Sequence, residues 1–188
     1  SEIENAINIS RSCNNHKIAV LQCTSIYPAP YSIVNLNSME TIKKAFNVIV
    51  GYSDHTLGDH ISCAAVAMGA KIIEKHFTLN RDFKGPDHSF AIEYNELKDM
   101  VNKIRDIEIG MGDGIKNGPR HEEMEFYRNA RRSVIAKRNI KKGQVIKDED
   151  LIVKRPNYGI HPKFLSVIIG RKAKVEIIED EPVTWEKI

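Results

Sequence analysis

Two histidines, His55 and His76, are the residues whose types and spacing best suit chemistry. Each follows a short apolar run, and an Ala-rich, helix-like stretch lies between the two runs. Imidazole is the commonest side-chain ligand of transition metals, and two of them on one divalent ion would leave positions open for substrate and water. The alternative is that each is an unrelated strand-end residue with a structural or solvated role. The local sequence leaves both interpretations open.

Strand alternation indicates which other side chains could join the two histidines, because residues two apart on a strand share a face. The residues expected on that face of three successive strands are Cys23, Ser25, Tyr27, Gly51, Ser53, Ile72 and Glu74. Parallel strands lie about 4.8 Å apart, so histidines at matching heights could share an ion. Lys75 falls on the opposite face, which argues against a Schiff-base lysine and favours a charge that covers the seam between helix and strand.

The elements that must carry these residues alternate between strand and helix. Apolar strands are predicted at 17–24, 48–53 and 71–77, and helices at 38–46, 57–70 and 93–109. Nearly continuous apolar strands joined by helices are typical of a parallel sheet buried on both faces, so the predicted fold class is α/β. If the sheet is part of a (β/α)₈ barrel, the carboxyl ends of its strands form the active-site rim.

The pattern changes near residue 120, where short strands and frequent turns replace the long helices. The stretch "RRSVIAKRNIKKGQVIKDEDLIVKRP" is typical of a small, mostly β domain. We therefore expect a barrel part at 1–118, a linker at 119–131 and a small β domain at 132–188.

Composition excludes several classes of protein. Hydrophobic residues make up 41% and charged residues 28% of 188 residues, as in an ordinary globular protein. A net charge of +3 is too small to indicate nucleic acid binding, and no apolar run reaches the ~18 residues of a membrane helix. Three cysteines without a C-x-x-C pair suggest reduced, mostly buried thiols in a cytoplasmic protein. The acidic start "SEIENAINIS" is unlike a signal peptide and lacks Met, so we expect a longer protein upstream.

Four stretches carry a resemblance to a known family. "CTSIYPAP", "VGYSDHTLG", "AAVAMGAKIIEKHFTLNRDFKGPDH" and "KRPNYGIHP" resemble, in order and spacing, the signatures of the sialic acid synthases, which include N-acetylneuraminate, legionaminate and pseudaminate synthases. The resemblance implies the C-terminal part of a (β/α)₈ barrel followed by a small antifreeze-like SAF domain. It also implies condensation of phosphoenolpyruvate with an N-acylated amino sugar, such as N-acetylmannosamine, with release of phosphate, in surface carbohydrate biosynthesis.

The resemblance assigns roles to particular residues. His55 and His76 match the ligands of a divalent metal, commonly Mn²⁺, with Mg²⁺ or Co²⁺ as alternatives. This ion would polarise the aldehyde of the open-chain sugar for attack by C3 of phosphoenolpyruvate. The residues that match the substrate pocket are Ser25, Tyr27, Ser53 and Asp87. The simpler alternatives are an aromatic at the rim for Tyr27, turn hydroxyls for the two serines and a plain turn residue for Asp87.

Arg155 matches the SAF-domain arginine that reaches the sugar site of the partner subunit in this family. The resemblance therefore implies a domain-swapped homodimer, and the planar guanidinium would suit a sugar's amide carbonyl and hydroxyls. Without the resemblance, an arginine before Pro156 would be interpreted as a surface charge.

Some features depart from the family pattern. Ala91 and Tyr94 replace a usual Ser and Pro, and Asn157 replaces a usual Gly, so the sequence does not specify the sugar. Only three of eight βα units are present, and the family's catalytic glutamate and phosphoenolpyruvate-binding lysines would lie upstream, so we expect this fragment alone to be inactive. The alternatives are a non-catalytic SAF module with a barrel remnant that binds a sugar or a partner, and a metal-dependent aldolase that releases no phosphate.

Overall fold

The computed structural model describes residues 1–188 and divides them into two compact units, Ser1–Ile115 and Lys116–Ile188. The expected linker at 119–131 falls in the second unit, where a 3₁₀ turn at His121–Glu123 leads directly into a helix. Each unit is described by itself below.

The first unit alternates helices and strands, as the sequence predicted. Its elements are α1 (Glu2–Ser12), β1 (Ala19–Cys23), α2 (Ser38–Phe46), β2 (Ile49–Asp54), α3 (His60–Ala67), β3 (Ile73–Lys75) and α4 (Tyr94–Met111). Helix α3 is shorter than predicted because Gly58 and Gly69, with φ of +75° and +101°, lie just outside its ends in a backbone conformation that a helix does not contain.

The three strands form one parallel sheet in the order β1-β2-β3. The register pairs Cys23 with Ser53 and Ser53 with Glu74, so the carboxyl ends of all three strands lie at the same edge. Strand β3 is shorter than predicted because the chain turns to a different partner after Lys75: the His76 carbonyl accepts a hydrogen bond from the Ile92 N–H at 2.8 Å.

Alternate residues of β2 face the helices and form the main core of this unit. Val50 and Tyr52 are buried against Met39 and Ile42 of α2 and Ala65 of α3. A second cluster joins α3 to α4 through Cys63, Val66, Met100 and Ile104. The residues between these positions on β2, Gly51 and Ser53, therefore face the opposite side of the sheet.

Gly51 permits close contact between β2 and the chain that enters β3. A Cβ placed there would lie 2.6 Å from the Ile72 carbonyl oxygen and 2.9 Å from the Ile72 Cβ. We expect Gly51→Val in the complete protein to lower the free energy of unfolding by about 1–3 kcal/mol, because backbone must move to admit the side chain. Chemical denaturation followed by circular dichroism measures this. The control is Gly110→Ala, because Gly110 lies in α4 and the added carbon would meet nothing within 4 Å other than the backbone of its own helix. Equal midpoints for wild type and Gly51→Val would contradict the packing argument.

The second unit is small and has little regular structure. It contains α5 (Met124–Ala130), β4 (Ser133–Ala136), β5 (Leu151–Lys154) and α6 (Leu165–Ile168), and β4 and β5 pair antiparallel. Isolated bridges, such as Ile140 to Ile177, extend the sheet-like pairing. The core is apolar, and its fully buried members include Val134, Ile140, Ile146, Ile168, Ile177 and Val183.

The three cysteines are free thiols, but their exposure differs from the prediction. Cys63 is buried, whereas Cys13 and Cys23 are exposed, so the expectation of mostly buried thiols is wrong. Cys13 follows the end of α1, and Cys23 is the last residue of β1. None of the helices in residues 1–188 has both the length and the apolar composition needed to cross a bilayer.

Candidate active site

His55 and His76 lie side by side at the carboxyl edge of the parallel sheet. They directly follow Asp54 and Lys75, which are paired in the register of β2 and β3, so both rings stand at the same height. Their ring centroids are 5.2 Å apart and their planes make an angle of 72°. His55 is buried, with 5% of its surface exposed, and His76 is partly exposed. The structure therefore brings together the two residues that the sequence singled out.

The orientation of the His55 ring is set by a backbone carbonyl. Its Nδ1 lies 2.9 Å from the Thr24 carbonyl oxygen, which can only accept, so Nδ1 carries the proton and donates it. The Cys23 Sγ lies 3.9 Å from the same nitrogen. The Nε2 lone pair of His55 is consequently left for a ligand, which is the arrangement that metal-binding histidines commonly adopt.

Two aromatic side chains enclose the histidines. The Tyr27 ring lies 4.2 Å from the His55 ring and 5.7 Å from the His76 ring, measured between centroids. Phe90 lies 5.1 Å from His76 and 5.6 Å from Tyr27. Phe90 is buried and Tyr27 is half exposed. Phe90 therefore lies beneath the histidine pair, and Tyr27 stands at its rim.

Two of the predicted polar residues also lie at this edge of the sheet. The Asp87 Oδ2 lies 3.6 Å from the His76 Nδ1. Ser53 is buried on the same face as His55, two residues before it, and its hydroxyl donates to Glu74 Oε1 at 2.6 Å. Asp87 therefore flanks the histidine pair, while the Ser53 hydroxyl is bonded to Glu74.

The other two predicted residues, Ser25 and Arg155, are exposed. Ser25 is exposed in the segment after β1. Arg155 belongs to the second unit, where it is exposed immediately after β5.

A buried ionic network occupies the opposite face of the same strand ends. The Asp54 carboxylate accepts hydrogen bonds from the backbone N–H and hydroxyl of Thr56, the hydroxyl of Ser62 and the ammonium of Lys75. Burial alone would raise the pKa of Asp54, but the hydrogen bonds from Ser62 and Thr56 and the charge of Lys75 lower it below its ordinary value. Burial raises the pKa of nearby Tyr52, and the Asp54 charge raises it further.

Comparison with known proteins identifies the family to which this chain belongs. Residues 1–116 match the NeuB family, and residues 131–188 match the SAF domain. The chain belongs to the NeuB family. The family resemblance seen in the four sequence stretches is thereby confirmed, as is the predicted α/β fold with a small SAF domain.

Relatives of this NeuB-family chain include named synthases. The N,N'-diacetyllegionaminic acid synthase of Campylobacter jejuni is 44% identical over 96% of this chain and 54% of its own length. The pseudaminic acid synthase of the same organism is 36% identical over 94% of this chain and 51% of its own length. The crystal structure of the spore coat polysaccharide biosynthesis protein SpsE of Bacillus subtilis has a TM-score of 0.55 at 32% identity, covering 99% of this chain and 57% of that one. The chain spans about half the length of the curated relatives it matches.

The histidine pair of this NeuB-family chain fits a shared divalent ion. Two imidazoles bound to one ion through nitrogen–metal bonds of about 2.1 Å have ring centroids roughly 4.5–5.5 Å apart, a range that includes the observed separation. No group of three or more His, Cys, Asp or Glu side chains is arranged to hold an ion. This chain would thus supply two nitrogen ligands to the ion, and the remaining coordination positions would be left for substrate and water.

Phe90 and the Thr24 carbonyl are parts of the site that sequence reasoning missed. The Thr24 contact involves a backbone atom, so the residue type carries no signal for it. Phe90 lies in the loop "RDFKGPDHSF", where a second aromatic residue in a polar stretch was the available signal. Its placement against His76 depends on how that loop returns to the sheet, which the Thr78 hydroxyl supports by a 2.8 Å hydrogen bond with His88 Nδ1.

Proposed function

We propose that the protein containing this chain is a nonulosonic acid synthase, a transferase that condenses phosphoenolpyruvate with an N-acylated amino sugar and releases phosphate. The observation that carries the proposal is the pair of imidazoles, 5.2 Å apart, at the carboxyl edge of a parallel sheet in a NeuB-family chain. The named synthases among its relatives support the substrate class, and the relative SpsE supports a role in surface carbohydrate biosynthesis. We place this activity in the cytoplasm as part of the proposal.

The metal in this proposal is a divalent cation, Mn²⁺ first and Mg²⁺ or Co²⁺ as alternatives, held by His55 and His76. When bound, it would act as a Lewis acid on the sugar's carbonyl oxygen. The chain's own residues prepare the site for it. The Thr24 carbonyl keeps the His55 proton on Nδ1, and Asp87, next to the His76 Nδ1, favours the same arrangement on the second ring.

The aromatic residues and the polar residues at this edge have complementary roles in the proposal. Tyr27 and Phe90 form an apolar wall beside the histidines, which would exclude water and pack against a face of the sugar. Ser25, Ser53 and Asp87 would hydrogen-bond polar groups of the two substrates. The catalytic acid or base is expected from the part of the protein upstream of this chain.

We further propose that the complete protein is a homodimer in which Arg155 serves the sugar site of the partner subunit. Arg155 is exposed and lies at the end of β5, a position from which a guanidinium can reach another surface. A guanidinium offers several donors in one plane, which suits the amide carbonyl and hydroxyls of an N-acylated sugar.

A phosphate-release assay on the complete protein tests the proposed reaction. With phosphoenolpyruvate, Mn²⁺ and a panel of N-acyl hexosamines, we expect phosphate in equal amount to a condensed sugar acid detected by mass spectrometry. Chelation by EDTA is expected to stop the reaction, and added Mn²⁺ to restore it. Condensation of free pyruvate without phosphate would show an aldolase instead. Sugar binding without turnover of any donor would show a non-catalytic module.

A further inference from the structure

The spacing of His55 and His76 is not set by direct backbone pairing between them. The β2–β3 register ends at Asp54 and Lys75, one residue before each histidine. Beyond it, the His55 carbonyl accepts from the Ala29 N–H at 2.8 Å, and the His76 carbonyl accepts from the Ile92 N–H at 2.8 Å. The two histidines themselves are thus bonded to different segments, just beyond the last paired residues of β2 and β3.

The buried ionic network on the opposite face joins the two strand ends. Lys75 Nζ donates to Asp54 Oδ2 at 3.0 Å and to the Thr56 carbonyl oxygen at 2.7 Å. Lys75 precedes His76, and its two acceptors flank His55 on either side in sequence. The Lys75 side chain, next to His76 in the sequence, therefore binds both residues that flank His55.

The network is built for fixed geometry. The side chains of Lys75 and Asp54 are 5% and 0% exposed. Asp54 Oδ1 accepts from Thr56 N and Oγ1, both at 2.8 Å, and Oδ2 accepts from Ser62 Oγ of α3 at 2.6 Å. Hydrogen bonds from the loop after β2 and from α3 therefore hold the Asp54 carboxylate in one orientation. The Lys75 ammonium that binds this carboxylate has little freedom as a result.

Stability alone does not explain a pair of this kind. Removing two charges from water is costly, and replacing a buried ion pair with apolar residues of similar volume is often neutral or stabilising. Apolar residues in the same positions would make no directional bonds. Hydrogen bonds fix distances and angles that dispersion contacts leave loose.

We propose that Lys75 and Asp54 are positioning residues that set the distance between His55 and His76 and so the affinity of the metal site. This inference rests on the proposed metal-binding function of the two histidines. Lys75 acts from the opposite face of the sheet and touches neither substrate nor ion.

The test uses the complete protein with the double substitution Lys75→Met/Asp54→Leu. Binding of Mn²⁺ is measured by electron paramagnetic resonance of the free ion, and thermal melting is recorded on the same samples. We expect affinity to fall roughly 10–100-fold, the range typical of residues that orient metal ligands, while the melting temperature stays near that of wild type. The Mn²⁺ concentration for half-maximal activity should rise by the same factor.

The control is Lys103→Met/Asp59→Leu, which removes a more exposed ion pair, with side chains 57% and 20% exposed. This pair has an Nζ to Oδ2 distance of 2.6 Å but joins α4 to the start of α3, and we expect it to leave Mn²⁺ affinity unchanged. If the first double variant does not fold, Ser62→Ala provides a milder version. It removes one hydrogen bond to Asp54 and keeps both charges, so a loss of roughly two- to tenfold is expected.

Three results would overturn the inference. Wild-type affinity in Lys75→Met/Asp54→Leu, or in Ser62→Ala where that variant replaces it, would show that the network serves stability only. An equal loss in the Lys103→Met/Asp59→Leu control would show a general effect of removing ion pairs. Absence of Mn²⁺ binding by the wild-type protein would refute the metal site itself, and with it the proposed function.

Discussion

Replacing either His55 or His76 with Ala in the complete protein is expected to abolish Mn²⁺-dependent phosphate release. The two imidazoles are the whole contribution of this chain to the proposed ion, so each substitution removes half of it. The loss should exceed the roughly 10–100-fold expected for residues that only orient ligands. The measurements are phosphate release over a Mn²⁺ titration and Mn²⁺ binding by electron paramagnetic resonance.

The control for this prediction is His16→Ala, since His16 is exposed in the segment between α1 and β1. It should keep wild-type activity and metal affinity. Circular dichroism spectra that match wild type would show that the two inactive variants are folded. A protein that lacks both His55 and His76 but retains full activity and affinity would disprove the shared-ligand interpretation.

Mixing Arg155→Ala protein with His76→Ala protein is expected to restore activity that neither has alone. In a mixed dimer with exchanged SAF domains, one of the two sites combines an intact histidine pair with an intact arginine, so activity should reach up to about half of wild type per mixed dimer. The segment 112–120, which has no helix or strand, can span up to about 30 Å when extended.

Subunit exchange must be shown independently, for example by native mass spectrometry of differently tagged chains. Arg155→Lys is a useful companion, because it keeps the charge but loses the planar fork of donors. Proven exchange without any recovery of activity would mean that Arg155 serves its own barrel or no site at all.

Local sequence patterns were sufficient to predict the elements around the site. Apolar runs separated by helical stretches predicted the three parallel strands, and the two-residue period placed Ser53, His55 and His76 on one face. Both patterns depend on neighbouring residues in the chain, because side chains alternate along any strand whatever it pairs with. The early end of β3 could not be predicted, since it depends on a hydrogen bond between His76 and Ile92, which lie on different segments.

Lys75 shows the limit of the same argument. Alternation correctly placed it on the face away from the histidines, but the sequence suggested a charge that covers a seam rather than a buried ion pair. Its burial depends on Asp54 and on Ser62 of α3, which supply enough hydrogen bonds to offset the cost of removing charges from water. Partners that meet only in the folded chain cannot be deduced from spacing.

The sequence by itself predicted the fold class, from residue types and short-range periodicity, and the family, from four stretches that resemble the sialic acid synthases. It singled out His55 and His76 but left open whether they meet at one site. Only the tertiary structure decided the site's finer features: the 5.2 Å separation of the rings, the proton on His55 Nδ1, the wall formed by Phe90 and the network behind the strands. The physical reason is that distances and hydrogen-bond partners across segments are set by the packing of the whole unit, in which each contact depends on all the others.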